Sequence, residues 1–200
     1  MTTRPRNPRG EGNKLREQLL AATAEVLNEV GDADRASVRA IARRAGVSPT
    51  ALYLQFPDRD SLVAAAVDAG FETFNRELLT AASIDASPTE RLMEMGRAYL
   101  AFYEQRPALY ATLFSTRRTL VDKEPDVDRD QALDGVVTLL QLITPTLDYD
   151  AACELAILIW SSLHGYAMLR AVRPHLEWPE PDVYLRRLLQ AYAPSGREQT

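Results

Sequence analysis

The 200-residue sequence is poor in the residues that build disulfides, metal sites and phosphate-binding loops. It contains one cysteine, two histidines and nine glycines. The lone Cys153 cannot form an internal disulfide, and His164 and His175 do not make a cluster with the spacing of metal ligands. The sequence has neither a nucleophile motif nor a glycine-rich loop of the kind that cradles phosphate. It therefore predicts no catalytic site, no metal and no cofactor.

Long hydrophobic runs are also absent. The longest apolar run, residues 155–160, is far shorter than the roughly 18 residues that a membrane-spanning helix needs. The first residues, Met-Thr-Thr-Arg-Pro-Arg, are not followed by the apolar core of a secretion signal. Hydrophobic residues still make up 46% of the chain, enough for the core of one extended domain or two small ones. We therefore expect a globular protein located in the cytoplasm.

Acidic residues outnumber basic ones, but the two signs are unevenly distributed along the chain. The net charge is −5, whereas residues 1–56 hold nine Arg or Lys against six Asp or Glu and carry +3. The remainder therefore carries −8. A basic end on an acidic body is typical of a protein that binds an anionic polymer through that end. A solvated charged surface explains the same asymmetry, so charge alone does not decide between the two.

Apolar residues recur every three or four positions through most of the sequence, and no segment has the alternation of a β-strand. The predicted fold class is therefore all-α, with about nine helices. Capping residues and helix-breaking residues indicate where the helices begin and end. Examples are Gly31 after the first helix, Pro57 after the third, and a capping box that starts at Ser87. The predicted helices cover residues 14–30, 38–45, 49–56, 59–78, 88–102, 107–114, 130–143, 150–173 and 181–192. We expect a charged loop or a frayed helix start at residues 116–130.

Residues 37–56 have the pattern of a helix-turn-helix, in which two short helices are joined by a tight turn. Ser37 can cap the first helix, and Gly46 supplies the left-handed residue of the turn. Ser48 followed by Pro49 is a favourable start for the second helix, and the small Ala42 allows close contact between the two. The pattern favours a DNA-binding unit, although an ordinary helical hairpin with a glycine has the same features.

The segment SVRAIARRAGVSPTALYLQFPDRDSL, residues 37–62, resembles the DNA-binding signature of the tetracycline-repressor (TetR) family of transcriptional regulators. The resemblance implies a head of helices 1–3 that binds DNA, a ligand cavity surrounded by helices 4–7, and a homodimer formed through helices 8 and 9. Together with composition, the resemblance predicts a disordered basic tail at residues 1–12, a helix-turn-helix domain at 13–58, a ligand-binding and dimerisation domain at 59–194, and a mobile tail at 195–200.

The resemblance and the side-chain chemistry together imply a set of DNA contacts. The residues expected to contact base edges in the major groove are Arg39, Pro49, Thr50 and Gln55. The residues expected to bind phosphates are Ser37, Tyr53 and Arg59, with the Tyr53 ring packed in the core and its hydroxyl available. The family often has Lys in place of Arg59 and His or a similar residue in place of Gln55. Sequence preference is therefore expected to differ from that of relatives.

For other arginines near this segment, two roles each are compatible with the sequence. Arg43 and Arg44 either contact phosphates or are simply solvated. Arg4, Arg6 and Arg9 either enter an adjacent minor groove or belong to a plain disordered tail. The sequence does not choose between these roles.

The segment Trp160-Ser-Ser-Leu-His164-Gly165 resembles the Trp-His-Gly mark of one carboxy-terminal variant of the family. Trp160, His164 and Met168 are four residues apart and share a helix face, where an imidazole would offer a ligand one polar contact. The candidate pocket residues are Met95, Tyr99, Phe102, Tyr103, Tyr110, Phe114, Trp160, His164 and Met168. Stripes of this kind also form ordinary cores, and a core histidine with satisfied hydrogen bonds remains the alternative for His164.

Together these features predict a regulator, in the family's commoner mode a repressor, that binds a palindromic double-stranded DNA operator as a homodimer. A small, largely apolar effector is expected to release it. The alternative is an all-helical interaction scaffold that has kept the head's fold but does not bind DNA. An enzyme that uses His164 as a general base, with Glu154 or Tyr166 nearby, is disfavoured because no nucleophile motif or metal cluster accompanies them.

Overall fold

The computed structural model describes residues 11–114 and 130–192, which form nine α-helices and one turn of 3₁₀ helix at Ala33–Arg35, with no β-strand among them. The all-α prediction is confirmed. The helices are α1 (Glu11–Val30), α2 (Val38–Ala45), α3 (Pro49–Leu52), α4 (Arg59–Ala81), α5 (Pro88–Gln105), α6 (Pro107–Leu113), α7 (Gln131–Ile143), α8 (Tyr149–Val172) and α9 (Pro181–Tyr192).

The amino-terminal limit of α1 differs from the expectation. Helix α1 begins at Glu11, inside the segment predicted to be a disordered tail over residues 1–12. The rest of that tail, the tail at 195–200 and most of the predicted loop at 116–130 lie outside the described residues.

Helix α3 is shorter than predicted. It ends at Leu52 and not at Phe56. The amide of Gln55 donates to the Leu52 carbonyl at 3.0 Å, an i to i−3 bond that tightens the backbone after the helix. Pro57 then disfavours the helical conformation for the residue before it. The predicted eight-residue helix is therefore one helical turn followed by a tight turn.

The first of two compact units contains the described residues up to Phe71 and those from Arg106 to Phe114. Its core lies among α1, α2, α3 and the start of α4, and the buried residues of this core are Leu19, Ala22, Val26, Leu27, Ala36, Ile41, Leu52, Phe56 and Leu62. Helix α6 packs against α1, where the Asn28 side-chain oxygen accepts the Leu109 amide at 3.3 Å. This unit thus includes more of the chain than residues 13–58.

The second compact unit contains Glu72–Gln105 and the described residues from Asp130 onward. Within it, α8 packs against α5, α7 and α9. The predicted capping box starts α5: the Ser87 amide donates to Glu90 at 3.0 Å, and the Glu90 amide donates to the Ser87 hydroxyl at 3.3 Å. Hydrogen bonding from the Ser87 hydroxyl and amide holds the pKa of Glu90 below its usual value.

Helix α9 is fastened to α5 and α8 by polar contacts and a close approach. A Cβ atom on Gly96 of α5 would lie 2.5 Å from a methyl carbon of Leu185, so a larger residue there would require the Leu185 side chain to shift. The Tyr184 hydroxyl donates to the Ser162 carbonyl at 2.8 Å. The Tyr166 ring stacks on Tyr184 with centroids 4.1 Å apart. Helix α9 is therefore held in one position within its unit.

Among the described helices, α8 alone is long and apolar enough to cross a membrane by length and composition. Apolar runs in the sequence did not reveal this, because Glu154, Ser161 and Ser162 interrupt them. The core helix of a globular protein passes the same test, and α8 has packing partners in its unit. Its remaining exposed side is largely apolar, with Glu154 and Ser161 also exposed on the helix.

Candidate nucleic-acid interface

Helix α2 is held by its caps and by its buried underside. The Ser37 hydroxyl accepts the Ala40 amide at 3.2 Å, and Gly46 ends the helix in the left-handed conformation with φ 68°. Ile41 and Ala42 are almost completely buried, whereas Arg39 is exposed. The helix therefore presents Arg39 and its capped amino end to solvent from a fixed backbone.

Helix α3 repeats this arrangement after the turn. The Ser48 hydroxyl accepts the Ala51 amide at 3.2 Å, and Pro49 occupies the first turn, where a missing N–H costs nothing. Leu52 and Phe56 are buried and hold the segment on the core, while Pro49 and Thr50 are exposed. The caps predicted at Ser37, Gly46, Ser48 and Pro49 are all confirmed.

Five of the seven side chains predicted to contact DNA are exposed on these two adjacent helices or directly beside them. They are Ser37, Arg39, Pro49, Thr50 and Tyr53. Gln55 is half-buried. The Tyr53 ring was expected in the core, but 53% of the residue is exposed because α3 ends before it and the following turn directs it away from the core. Its ring is therefore not packed in the core.

Leu54 is an exposed residue that the sequence analysis missed. It is 70% exposed, the largest value among the large hydrophobic residues of the described chain. Leu52 and Phe56, two residues to either side of it, are buried, whereas Tyr53 and Leu54 between them are exposed. The spacing of four between the apolar Leu52 and Phe56 was the available signal, because it places Leu54 on the side opposite to them.

Arg59, which was predicted to bind phosphate, is instead turned towards the chain itself. Its Nε donates to the Ala36 carbonyl at 2.8 Å, one terminal nitrogen donates to the Ala33 carbonyl, and the other pairs with Asp60 at 2.7 Å. Only 25% of its side chain is exposed. Since all three nitrogens have partners within the head, the geometry favours a structural role for Arg59 over the predicted phosphate contact.

The two arginines at the end of α2 have different surroundings. Arg44 forms ion pairs with Glu25, at 2.9 Å, and with Glu29, both on α1. These bonds, with Glu25 first, raise the pKa of its guanidinium. Arg43 is exposed and makes no ion pair with the described residues. Arg44 thus joins α2 to α1, whereas Arg43 stays at the surface. Arg4, Arg6 and Arg9 lie outside the described residues.

The residues predicted to line a ligand pocket divide between the two compact units. Tyr110 and Phe114 belong to the first, where Phe114 packs on Tyr110 and on the edge of Phe71. The other seven belong to the second: Met95, Tyr99 and Phe102 are buried, Tyr103, His164 and Met168 are half-buried, and Trp160 is exposed. Trp160 therefore does not share the burial of the other pocket candidates. Burial lowers the pKa of His164, which favours its neutral form.

Two family models match the chain. One, described as bacterial regulatory proteins of the tetR family, matches residues 19–66, and the other, a tetracyclin repressor-like carboxy-terminal domain, matches residues 92–192. The first match includes the helix-turn-helix, and the second covers half of the whole chain. The resemblance of residues 160–165 to the Trp-His-Gly variant stays a prediction.

This chain is also similar to individual proteins in sequence or in structure. The nucleoid occlusion factor SlmA of Vibrio campbellii is 26% identical over 129 residues, which span 64% of this chain and 65% of that protein. A TetR-family regulator from Streptomyces coelicolor superposes with a TM-score of 0.71 over 90% of this chain and 79% of its own, at 16% identity. A TetR-like regulator from Rhodococcus sp. RHA1 superposes with a TM-score of 0.65 over 92% of this chain and 95% of its own, at 24% identity.

The structural likenesses establish the fold, and the family models establish the kinship. The carboxy-terminal match alone covers half of the chain, and the amino-terminal match coincides with the capped helices whose geometry is described above. The chain therefore belongs to the TetR family of transcriptional regulators, and residues 37–56 are the helix-turn-helix of its DNA-binding domain.

Proposed function

We propose that the protein is a homodimeric transcriptional repressor that binds a palindromic operator and is released by a small, largely apolar effector. Members of its family bind DNA, usually dimerise and are generally not enzymes. The observation that carries the proposal is the contrast between the two sides of α2 and α3. A fully buried apolar side lies beneath exposed Arg39, Thr50 and Tyr53. We place the protein in the cytoplasm with its relatives.

The exposed residues divide by chemistry into those that read bases and those that bind the backbone. The Arg39 guanidinium suits the two acceptors of a guanine edge, and the half-buried Gln55 amide suits adenine. Pro49 and Thr50 offer small apolar and hydroxyl contacts at the start of α3. Ser37 and Tyr53 are proposed to bind phosphates, which position the protein without reading sequence.

The apolar side of α8 is the surface we propose for dimerisation, together with α9. Ile157, Leu158, Leu169 and Val172 are between 45% and 61% exposed, and helical spacing places them on one side. Gly165 lies in the middle of this side, and a Cβ atom there would meet nothing within 4 Å. A second copy of the same helix would cover this side and could approach closely at Gly165. The exposed apolar side is thus explained without a membrane.

A dimer also meets the energetic requirement of specific binding. One three-helix head contacts too little DNA for a tight specific site, whereas two heads double the contacts. Heads related by a two-fold axis read half-sites about one DNA turn, roughly 34 Å, or a multiple of it apart. A palindromic operator follows from that symmetry.

We propose an effector site in the second unit, among residues of α5 and α8, which pack together. Tyr103, His164 and Met168 are half-buried and so can meet a ligand, while Met95, Tyr99 and Phe102 form the apolar floor of α5. A neutral imidazole suits a largely apolar ligand that carries one polar group. Effector and DNA would each weaken the binding of the other, with a reciprocal coupling of about 1 to 3 kcal/mol.

Selection of bound duplexes from a random pool tests the DNA-binding proposal. We expect a recovered palindrome, whose half-site spacing also reports the dimer geometry. Recovery of no enriched sequence, with no salt-dependent binding to any duplex, would support the alternative of an interaction scaffold.

A titration of the recovered operator complex with extracts of small apolar metabolites tests the effector proposal separately. We expect at least one fraction to lower operator affinity in the wild-type protein and to lose that effect in the His164→Ala variant. An operator affinity that no fraction alters would count against an effector but not against DNA binding.

A further inference from the structure

We propose that Arg59 is a positioning residue for DNA recognition, which holds the segment leading into α2 and thereby sets where the amino end of α2 lies. The inference rests on the proposed function, in which α2 and α3 bind DNA. It replaces the phosphate contact predicted from the sequence with a role inside the head.

The geometry that supports this role is the pair of hydrogen bonds that the planar Arg59 guanidinium donates to two backbone carbonyls, which we call the clamp. Arg59 is the first residue of α4, and its partners Ala36 and Ala33 lie 23 and 26 residues earlier in the chain. Ala36 is completely buried, and Ser37, the cap of α2, follows it directly. A guanidinium has several donors in one rigid plane, so two bonds to two carbonyls fix both distance and orientation.

The backbone hydrogen bonds within the clamped segment are local, from the Arg35 amide to the Asp32 carbonyl and from the Ala36 amide to the Ala33 carbonyl. The segment's single 3₁₀ turn, Ala33–Arg35, is only three residues long, and short 3₁₀ pieces have poor hydrogen-bond geometry of their own. Arg39 lies three residues beyond the clamped Ala36, in the first turn of α2. A shift of the Ala36 backbone would therefore move the side chain that is proposed to read guanine.

Lysine is the informative replacement, because it keeps the positive charge but has no planar fork. On the selected duplex, we expect Arg59→Lys to lower operator affinity about tenfold, the scale of a lost charge-assisted hydrogen bond. Fluorescence anisotropy over a range of salt concentrations measures both the affinity and its salt slope. We expect the slope to stay unchanged in Arg59→Lys and Arg59→Ala, since neither loses a phosphate contact.

A double-mutant cycle with Arg39→Ala distinguishes positioning from general stabilisation. If Arg59 acts through Arg39, the loss caused by Arg59→Lys becomes smaller when Arg39→Ala is also present. Equal losses in both backgrounds would overturn the positioning role. Wild-type affinity in Arg59→Lys, combined with a salt slope about one unit shallower in Arg59→Ala, would overturn it in favour of a direct phosphate contact.

A measurement on the wild-type protein covers the case in which the lysine variant does not fold. The Arg59 Nε–H proton, which donates to the Ala36 carbonyl, should exchange slowly with solvent by NMR in both the free and the DNA-bound protein. Rapid exchange in either state would overturn the clamp. Failure of the wild-type protein to bind any duplex would instead refute the proposed function, and the anisotropy titration shows this before the variants are compared.

Discussion

The Arg97 guanidinium and the Asp182 carboxylate face each other through two hydrogen bonds, of 2.9 and 3.0 Å, and so join α5 to α9. The same guanidinium also pairs with Glu94 on its own helix. Because α9 is one of the two helices proposed for the dimer, this ion pair holds part of the proposed interface in place.

Replacement of Asp182 by Asn should lower stability in a pH-dependent way. Hydrogen bonding to Arg97 lowers the pKa of Asp182 in the folded protein. A carboxylate of this kind stabilises the fold above its unfolded pKa of about 3.9, and its contribution disappears as the pH falls through the lower folded value. We expect Asp182→Asn to reduce the urea midpoint at neutral pH, with the difference from wild type vanishing in strong acid. A difference that grows in acid would contradict this.

Replacement of Gly46 by Ala should destabilise the head by about 1 kcal/mol, because its φ of 68° is unfavourable for a residue with a Cβ atom. Gly165→Ala is the matched control, since Gly165 lies inside α8 and its added Cβ atom meets open space. Measured in a variant that is expected not to dimerise, such as Ile157→Glu, the control should be stabilising by roughly 0.5 to 1 kcal/mol. Chemical unfolding measures both changes. Equal effects of the two substitutions would show that the turn does not need glycine.

The pair Leu52 and Leu54 tests which side of this segment faces the core. Leu52 is completely buried and Leu54 is 70% exposed. Leu52→Ala should cost about 2 to 5 kcal/mol of unfolding free energy, as for other buried leucines, whereas Leu54→Ala should change it by less than about 0.5 kcal/mol. A large loss in Leu54→Ala would show that this side chain packs against other residues and would contradict its exposed position.

A charge on the apolar side of α8 should prevent dimerisation without unfolding the chain. Ile157 is 48% exposed, so Ile157→Glu places a carboxylate in the proposed interface while leaving the core of the unit intact. Leu142→Glu is the control, because Leu142 is similarly exposed, at 54%, but belongs to α7, which is not part of the proposed interface. Sedimentation velocity should show a monomer for the first variant and a dimer for the second. Dimers in both would move the interface elsewhere.

Local chemistry explains which features the sequence predicted well. The caps Ser37 and Ser48 and the left-handed Gly46 act on their own or adjacent turns, so their roles follow from neighbours within four residues. The capping box at Ser87 and the limits of α9 are local in the same sense. Periodicity was sufficient to predict the all-α fold for the same reason.

Contacts between distant parts of the chain explain what the sequence did not predict. The family pattern suggests phosphate binding for Arg59, but its carbonyl partners are 23 and 26 residues away and no spacing identifies them. Trp160 shares a helix face with His164, yet the packing of α8 leaves it 39% exposed. Burial of a helix position depends on which elements cover it, and helical spacing alone does not supply that information.

The central claim, that the exposed side of α2 and α3 binds DNA, is tested most directly by the salt dependence of duplex binding. The selected duplex is titrated with wild-type protein and with a variant carrying both Arg39→Ala and Tyr53→Ala. Both side chains are exposed, so the variant should keep its fold and dimer while losing most of its operator affinity. The wild-type protein should bind with an affinity that falls steeply as salt rises. Equal binding by the two proteins, or no salt-dependent binding by the wild type, would contradict the account.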